Sequence, residues 1–309
     1  MDEGGSGWSD ALQAGYVTFC QGIQDSLSLH RILLLYIQSP IVRNRTVKCV
    51  MVNGIIFLGS IFFFDHIVIP IIHLLGLALK HQEEAKGAND SRSFRDTIDT
   101  MVFVIYQGLW MYPIYCVSFI LNAIWYQELA DEAYLQTHGK ARPAPVKDML
   151  IDEVYRAILV FFFVVQTMLS YFVPLVGPYL SFVHTSWLYA LYCFEYKWSL
   201  HGWSIEKRLV YMEKHWAYFV GFGCPFTLAT YFAPNFVNKG IFALLFPLFL
   251  LLATVCGPST DVEPSKLPLF GPSRWLTLQF VRRLSNFTGM KHRSQPPRKA
   301  NSPHVHMRR

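Results

Sequence analysis

Charged residues are scarce in this sequence. Asp, Glu, Lys and Arg make up only 16% of the 309 residues, whereas soluble proteins carry about 25%. Hydrophobic residues make up 52%, aromatic residues 16%, and the mean hydropathy is +0.27. This balance excludes a disordered chain. The hydrophobic content is also higher than a single soluble core can bury, so we expect a membrane protein.

Motifs of covalent, metal and catalytic chemistry are missing as well. The six cysteines form no CxxC pair, which excludes a disulfide framework and a zinc knuckle. No GxSxG, P-loop, HExxH or strand-linked GxGxxG motif occurs. We therefore expect no enzyme activity, no cofactor and no metal site; His304 and His306 near the end of the chain are weak metal ligands at best. The acidic first ten residues contain no apolar stretch, so we expect no cleaved signal peptide.

Long apolar runs are abundant and indicate membrane helices. A helix needs about 20 residues to cross a bilayer. The first two of six apolar segments meet this length, whereas the other four have only some 16 to 17 uninterrupted positions. The segments are Val50–Leu77, Met101–Trp125, Ala157–Val173, Tyr179–Phe194, Trp216–Phe232 and Ile241–Cys256.

The four shorter segments form two pairs that are separated by helix-breaking residues. Pro174, Gly177 and Pro178 lie in the first pair, and Pro234 and Gly240 lie in the second. Three further breakers are expected to interrupt the fifth segment: Gly221, Gly223 and Pro225. The sequence predicts an all-α polytopic membrane protein with two long transmembrane helices and two short helical hairpins, which either span the bilayer or enter it halfway.

The distribution of Lys and Arg predicts the orientation. Both termini and every second loop hold 22 of these residues, whereas the alternate loops hold five. The positive-inside rule then places both termini in the cytosol. Residues 257–309 carry ten Lys or Arg and two acidic residues, which beside a membrane favours anionic lipid as the partner and not nucleic acid.

Amphipathic stretches flank the apolar segments. We expect a cytosolic segment 1–48, a membrane domain 49–256 and a basic cytosolic tail 257–309 that ends in disorder beyond Met290. Within Ala11–Ile37, apolar residues recur at helical spacing, and a second such helix is expected near 274–288. Each stripe either lies on the membrane surface or packs against the bundle. The membrane-interface candidates of the second helix are Trp275, Phe280, Val281, Leu284 and Phe287, with Arg282 and Arg283 on the opposite side.

Several polar residues stand within or beside the apolar segments. Asp65 and His66 lie in one apolar run, where they form either an ion or proton path or an interfacial polar pair at the helix end. Glu195 is the third ion-path candidate; alternatively it forms an anchoring pair with Lys197 at the headgroup boundary. Interhelical hydrogen bonds are expected for Gln166 and His184. The sequon at Asn89 is predicted to face the lumen and is a candidate glycosylation site.

Three motifs resemble a known family. The runs LNAIWYQELADEAY (Leu121–Tyr134), LYALYCFEYKW (Leu188–Trp198) and EKHWAYFVGFGCP (Glu213–Pro225) resemble the etoposide-induced protein 2.4 family. GIQDSL (Gly22–Leu27) and FPLF (Phe246–Phe249) accompany them, so the resemblance spans about Gly22 to Phe287.

The resemblance implies a multi-pass protein of the endoplasmic reticulum that acts in macroautophagy, at autophagosome maturation, and in apoptosis or growth control. It also implies half-spanning hairpins, because the same domain family includes the bacterial CysZ-type sulfate permeases. An anion channel or transporter is therefore the alternative function, although the apolar runs contain no Arg or Lys for a selective anion site.

The expected partners are the lipid bilayer and unidentified membrane or cytosolic proteins. A homo-oligomer is a further candidate, because half-inserted hairpins expose backbone ends that a neighbouring subunit satisfies better than lipid does.

Overall fold

The computed structural model describes residues 3–71, 74, 101, 104, 108, 112–141, 146–233, 235–259 and 266–287. Within these residues all regular secondary structure is helical, which confirms the all-α prediction. In chain order the described helices are α1 (Glu3–Ser26), α2 (Leu29–Gln38), α3 (Pro40–Ile71), α4 (Tyr112–His138), α5 (Val146–Ser170), α6 (Gly177–Leu200), α7 (Ile205–Lys214), α8 (Trp216–Tyr231), α9 (Asn235–Val255) and α10 (Gly271–Phe287).

Two of the described helices are long and apolar enough to cross a membrane. They are α3, with 32 residues, and the Val237–Val255 part of α9, with 19 residues. α3 changes to π-helical hydrogen bonding over Met51–Leu58 and again over Phe64–Val68. Such segments change the direction of the side chains that follow them and often occur at functional sites.

Most of the helices are longer than the apolar segments that predicted them. α5 has 25 residues and α6 has 24, because each helix continues beyond its apolar segment into polar residues. The predicted break at Pro225 is wrong, since α8 runs through it without interruption. Gly240 is likewise no breaker and lies inside α9.

The α5–α6 hairpin turns at residues 171–176, immediately before α6 begins. The α5–α6 turn includes Leu175, which has a φ of 66° and is 96% exposed. Gly177 begins α6, and an added Cβ there would lie 2.0 Å from the carbonyl oxygen of Tyr171. Only a glycine therefore fits where the chain turns back into α6.

The loops that join the helices lie at the two ends of the bundle. At one end, Ser39 Oγ before α3 donates to Glu132 Oε1 of α4 over 2.8 Å, and Lys197 Nζ of α6 donates to the carbonyl oxygen of Cys256 after α9 over 2.6 Å. We call this the charged end, because it also holds the buried carboxylates of Asp25, Glu195 and Glu213. The chain therefore returns to the same end after each hairpin.

The hairpin tips meet at the opposite end. Tyr231 Oη of α8 donates to the carbonyl oxygen of Pro178 in α6 over 3.0 Å. Gly240 of α9 packs against Leu58 of α3, and this contact allows the start of α9 to be compared with the end of α3 along the helix axis. α9 begins five residues before Gly240, whereas α3 continues 13 residues beyond Leu58 to Ile71. At 1.5 Å per residue, α3 extends about 12 Å past the start of α9.

The first predicted amphipathic stretch is two helices and not one. The chain breaks between α1 and α2 at Leu27–Ser28. α1 packs along α8, and the contact is so close that an added Cβ at Gly22 would lie 2.2 Å from the carbonyl oxygen of Tyr218. Small residues at a helix contact permit this approach.

The apolar stripe of α1 is divided: Phe19 packs against the core, whereas apolar residues nearer the N-terminus face away from the bundle. Leu12 and Tyr16 are 74% and 69% exposed, whereas Thr18 and Asp25 are buried against neighbouring helices. The α1 pattern is therefore that of a membrane protein, with small and polar residues at much of the helix contact and apolar residues outside.

The second predicted amphipathic helix also packs on the bundle. α10 lies against α5, and its contact residues Ser273 and Thr277 are fully buried. Ser273 Oγ donates to Gln166 Oε1 over 2.7 Å. The residues from Lys266 to Phe287 therefore belong to the folded body of the protein.

The packed core lies between α6, α8 and α9 and consists largely of aromatic rings. Phe226 stacks on Phe249 with centroids 4.5 Å apart, and Phe194 meets Phe222 edge-on at 4.9 Å. These side chains are almost fully buried. The core holds the two hairpins together and positions α6 and α9 beside α3 and α4.

Candidate functional site

A cavity of about 740 Å³ lies between α3, α4, α6 and α9. Its volume is within the range of about 300–1,000 Å³ that is common for ligand pockets. Aromatic rings from all four helices form much of its wall: Phe57, Tyr115, Tyr126, Tyr189, Tyr196 and Phe242. Along α4 the lining residues Phe119, Ala123 and Gln127 are exposed. Within the described part of the chain the cavity therefore opens sideways along this row.

A buried pair of asparagines lies in the cavity wall. Asn53 of the first π-helical segment of α3 faces Asn122 of α4, and each amide nitrogen donates to the other's oxygen, over 3.0 and 2.7 Å. Asn53 Nδ2 also donates to the carbonyl oxygen of Ala243 in α9, and Ser118 Oγ donates to Asn53 Oδ1. Tyr126 Oη donates to the same Ala243 carbonyl over 2.9 Å.

This network connects three helices and satisfies itself. The amide, hydroxyl and phenol donors of Asn53, Asn122, Ser118 and Tyr126 all have protein acceptors. Buried donors that are already paired have little free energy to gain from a bound anion. The main role of the network is therefore to hold α3, α4 and α9 together.

Glu195 lies at the charged end of the same cavity. Its carboxylate forms ion pairs with Arg208 of α7 and, over 3.6 Å, with Arg156 of α5. The carboxylate and Arg208 are both largely buried, with side chains 11% and 12% exposed. The cluster fixes α5, α6 and α7 to one another, and removing one partner would leave an uncompensated buried charge.

Glu195 and Lys197 do not pair with each other, and their anchoring role at the headgroup boundary stays a prediction. The two residues are only two positions apart on α6, so they point to different sides of the helix. Lys197 instead caps the end of α9 through the carbonyl oxygen of Cys256.

A second polar cluster lies beside Cys256. Asp25 at the end of α1 accepts from Tyr218 Oη of α8 over 2.9 Å and pairs with Arg31 of α2 over 3.2 Å. Arg31 Nη1 also contacts Cys256 Sγ at 2.9 Å. This cluster joins α1, α2, α8 and the end of α9 around one buried carboxylate.

A third carboxylate holds the segment that leads into α10. Glu213 Oε1 accepts from the backbone N–H of Phe270 over 3.2 Å, and Glu213 Oε2 pairs with Lys266 over 3.4 Å. In the described part of the chain, no group of three or more His, Cys, Asp or Glu side chains is arranged to hold a metal ion.

Comparison with known proteins identifies the family. The family model described as "Sulfate transporter CysZ/Etoposide-induced protein 2.4" matches residues 28–247, which is most of the chain. The chain belongs to this family. It is therefore a polytopic membrane protein, whose environment is the lipid bilayer.

Curated proteins from three organisms are similar to this chain. Protein EI24 homolog from Dictyostelium discoideum is 33% identical over 258 residues, which is 81% of this chain and 78% of the relative. Protein EI24 homolog from Arabidopsis thaliana is 32% identical over 267 residues, 77% of this chain and 82% of the relative. Ectopic P granules protein 4 from Caenorhabditis elegans is 37% identical over 143 residues, 45% of each chain. No solved structure matches the chain significantly.

The family motifs converge on the cavity and on the charged end. Asn122, Glu195 and Tyr196 come from two motifs distant in sequence, and all three line the cavity. Phe246 of the FPLF motif lines it as well. Asp25 of the GIQDSL motif belongs to the cluster at Cys256. The residues that identify the family are thus those that connect its helices.

Of Asp65 and His66, His66 is not among the described residues that line the cavity. Both lie in the second π-helical segment of α3, and the side chain of Asp65 lies outside the described part. The ring of His66 is exposed, stacks on Phe62 at 4.2 Å, and its Nδ1 is 3.1 Å from the carbonyl oxygen of Phe62. The ion-path role of these two residues stays a prediction.

The membrane-interface candidates lie on α10. Trp275 is 61% exposed and Phe280 is 46% exposed, although Phe280 also contacts Phe162 of α5. Arg282 and Arg283 are exposed, and Val281 is half-buried. The side chains of Leu284 and Phe287, and the whole of Asn89, lie outside the described residues.

Gln166 and His184 form the predicted interhelical contact. Gln166 Nε2 of α5 lies 3.2 Å from His184 Nε2 of α6. The same amide contacts Ser273 of α10 through its oxygen. The prediction of an interhelical hydrogen bond at these two residues is confirmed.

One titratable group at the charged end is strongly perturbed. His138 ends α4, well past the apolar segment, and its ring lies 5.2 Å from that of His201. Partial desolvation, followed by the positive charge of Lys197 and the neighbouring His201 ring, lowers the pKa of His138 to about 4. His138 is therefore neutral at physiological pH.

Sequence patterns did not single out Asn53, Tyr126 or Arg208. Asn53 is an amide in an apolar run, which is the signal that most directly marks an interhelical hydrogen bond in a membrane protein. Its partner Asn122 was visible only as part of a family motif. The pairing of Arg208 with Glu195 carries no sequence signal, because it depends on how α7 folds back onto α6.

Proposed function

We propose that this protein is a non-enzymatic membrane protein of the endoplasmic reticulum that acts in macroautophagy, at autophagosome maturation. It does so by shaping the membrane or by organising protein partners. Family membership supports the role, because the resemblance to the etoposide-induced proteins implies this process together with apoptosis or growth control.

The observation that carries the membrane-shaping role is the unequal thickness of the molecule along its axis. The hairpin tips stop about 12 Å before α3 ends, by the helix rise. At the charged end, α2 and α7 are added around the bundle, whereas α1 runs along α8 and α10 along α5. In the described part of the chain the molecule is therefore broader at the charged end and narrows toward the far end of α3.

A broad end widens one leaflet more than the other. The exposed side chains of α2 are apolar at Leu33, Leu34 and Ile37, at 59%, 55% and 73% exposure, so this helix presents a face that is stable in the interfacial region of a bilayer. With both termini in the cytosol, the broad end occupies the cytosolic leaflet. Such a wedge favours a membrane whose cytosolic face is convex.

The proposal is tested by rescue of cells that lack the protein. The variant Leu33→Gln/Ile37→Gln removes apolar side chains that α2 exposes without changing its buried residues Ile32 and Leu35. Leu135→Gln is the control, because Leu135 is an exposed apolar residue of α4 beyond the apolar segment. Each chain is expressed at the same level, and maturation is measured with an acid-sensitive tandem fluorescent reporter of autophagosomes.

Wild-type protein and Leu135→Gln are expected to restore maturation, and the double variant is expected to reach the endoplasmic reticulum but not restore it. Full rescue by the double variant would exclude shaping by α2. Failure of the wild type to restore maturation would exclude the role in autophagy itself.

An anion channel or transporter is the second candidate, and the cavity favours it in one respect. Basic side chains lie at both ends of the cavity, Arg156 near Glu195 and Lys239 near Tyr115. Against it, the donors of Asn53, Asn122, Ser118 and Tyr126 already bind protein acceptors. An anion between the two ends would find no converging donors of the kind that a selective site needs.

Sulfate flux into proteoliposomes separates the two candidates. Folded wild-type protein is expected to give the same flux as empty vesicles. Flux above that level that is lost in Glu195→Gln would establish the transporter and place its path at the charged end of the cavity.

We also propose that the protein works with others in the membrane. The broad charged end and the basic face of α10 at Arg282 and Arg283 offer surfaces for cytosolic partners or a second copy of the chain. Crosslinking in intact membranes followed by mass spectrometry identifies these neighbours; a protein that crosslinks to nothing would contradict a scaffolding role.

A further inference from the structure

We propose that the cavity between α3, α4, α6 and α9 is a binding site for one glycerophospholipid molecule. Its acyl chain lies along the aromatic wall, and its headgroup lies at the charged end beside Gln127 and Ser199. The proposal requires only that the bundle is embedded in a bilayer, and it does not depend on the role in autophagy.

The long axis of the cavity has the length of one leaflet. On α4 its lining runs from Tyr115 to Gln127, which is about 18 Å at the rise of a helix. The hydrocarbon of one leaflet is about 15 Å thick, half of the bilayer core. A lipid that stands parallel to the helices therefore fills the cavity from its polar mouth to its far end at Phe57 and Lys239.

The wall chemistry fits an apolar chain. Tyr189, Phe242 and Phe246 present ring surfaces to the interior, and the Asn53–Asn122 network beside them satisfies its own donors. A hydrocarbon chain placed beside the network leaves the donors of Asn53, Asn122 and Tyr126 paired, whereas a polar ligand would have to break one of their bonds. The polar end of the ligand must therefore lie elsewhere.

The polar end of the cavity fits a headgroup. Gln127 and Ser199 are exposed at this end, and Arg156 and Glu195 line it. These side chains provide amide, hydroxyl and guanidinium donors where the phosphate and ester oxygens of a phospholipid come to rest. The exposed row Phe119, Ala123 and Gln127 gives the chain a sideways entry from the bilayer.

The test uses full-length protein in nanodiscs that contain a phospholipid with a photoreactive diazirine on one acyl chain. Irradiation and peptide mass spectrometry then report which side chains the chain touches. Crosslinks are expected at Tyr189, Phe242 and Phe246, which line the interior. Crosslinks confined to outward residues such as Val117 and Ile124 would overturn the proposal.

Ala123→Phe fills the entry with a ring, and Ser199→Phe closes the mouth from another helix. Ala229→Phe is the matched control, because Ala229 is exposed on α8 and lines no part of the cavity. An added ring occupies volume that the lipid needs and overpacks the site. Interior crosslinking is therefore expected to fall by about tenfold in Ala123→Phe and Ser199→Phe and to stay unchanged in Ala229→Phe.

Equal interior labelling in all three variants, with thermal midpoints like that of the wild type, would contradict the site. Excess unlabelled phospholipid is expected to remove the interior crosslinks, whereas sodium sulfate is expected to leave them unchanged. Loss of the crosslinks with sulfate would overturn the proposal in favour of an anion in the cavity.

Discussion

Single polar side chains determine how the membrane helices of this protein are held together. Asn53 and Asn122 pair inside the bundle. Asp25 and Glu195 bind partners from other helices, and Glu213 binds the segment that precedes α10. Burying such groups is stabilising only when every partner is present. The effect of a substitution therefore depends on which partner is left behind.

Replacing the first asparagine of the pair should cost more unfolding free energy than replacing the second one in addition. Asn122→Leu leaves the amide of Asn53 with one acceptor fewer, and we expect a loss of about 1–2 kcal/mol in unfolding free energy. The double variant Asn53→Leu/Asn122→Leu should lose less than the sum of the two single variants. Unfolding in a denaturing detergent titration measures all four chains, and strictly additive losses would show that the amide pair is not coupled.

The charged end should lose stability as the pH falls from about 6.5 to about 4. In the unfolded chain His138 takes up a proton near its ordinary pKa, whereas in the folded protein its pKa is about 4. Between these values the unfolded chain binds more protons, so acid favours unfolding, and the contribution is fully present only above the upper value.

His138→Gln tests this effect, because it keeps a hydrogen-bonding side chain without a titrating ring. Thermal midpoints measured at several pH values should fall less steeply in the variant than in the wild type over this range. Parallel curves would show that His138 does not titrate with a lowered pKa.

At the scale of helices, close backbone contact decides the packing of α1 on α8. An added Cβ would lie 2.2 Å from the carbonyl oxygen of Phe19 at Gly221, and 1.9 Å from the carbonyl oxygen of Ser186 at Gly223. Both neighbours are backbone atoms, which cannot rotate away as a side chain can. The glycines of α8 are thus contact residues between helices and not points where the helix breaks.

Gly221→Ala should therefore separate α1 from α8 and destabilise the protein by about 1–3 kcal/mol through overpacking. Gly15→Ala makes the same change on α1 where nothing lies within 4 Å of the added Cβ, so it should be neutral or slightly stabilising. Limited proteolysis of the N-terminal segment and thermal unfolding measure the two effects. Equal behaviour of both variants would contradict the close α1–α8 contact.

The sequence predicted helix type and topology better than it predicted packing faces. Apolar runs and the Lys and Arg counts gave the helical class and the alternation of loops, because both depend on local composition. The face that each helix turns to its neighbours was not predictable in α1, where Thr18, Gly22 and Asp25 contact the bundle and Leu12 and Tyr16 face outward. In lipid, hydrophobicity does not distinguish inside from outside, so a stripe of apolar residues does not identify the face that packs.

The candidate site was predictable only in part for the same reason. Glu195 was found as a carboxylate at the edge of an apolar run, but its partners Arg156 and Arg208 come from α5 and α7. The cavity itself arises where four helices distant in sequence meet. Such a space depends on tertiary packing, and no local pattern records it.

At the scale of the whole molecule, both hairpins open toward the charged end and have their tips at the other end. We predict that the charged end and both termini face the cytosol, so Asn89 lies in the lumen. Digestion of sealed microsomes should remove epitope tags at both termini, and endoglycosidase should shift the gel mobility of the wild type but not of Asn89→Gln. Protection of either terminus from protease would contradict the orientation.

The broad charged end also predicts how the protein distributes among membranes of different curvature. A wedge in the outer leaflet is accommodated best where that leaflet is already expanded, which is the case in small vesicles. Because the added volume at the charged end belongs to α2 and α7, the preference should require both of these helices to be intact. A straight bundle of uniform thickness would have no such preference.

The most direct test of the membrane-shaping account is the density of fluorescently labelled protein on single vesicles of different diameter. The vesicles are immobilised after reconstitution with the charged end outward, and protein and lipid signals are measured for each one. The account predicts that protein density per unit membrane area rises as the vesicle diameter falls. A density that is independent of diameter would contradict it.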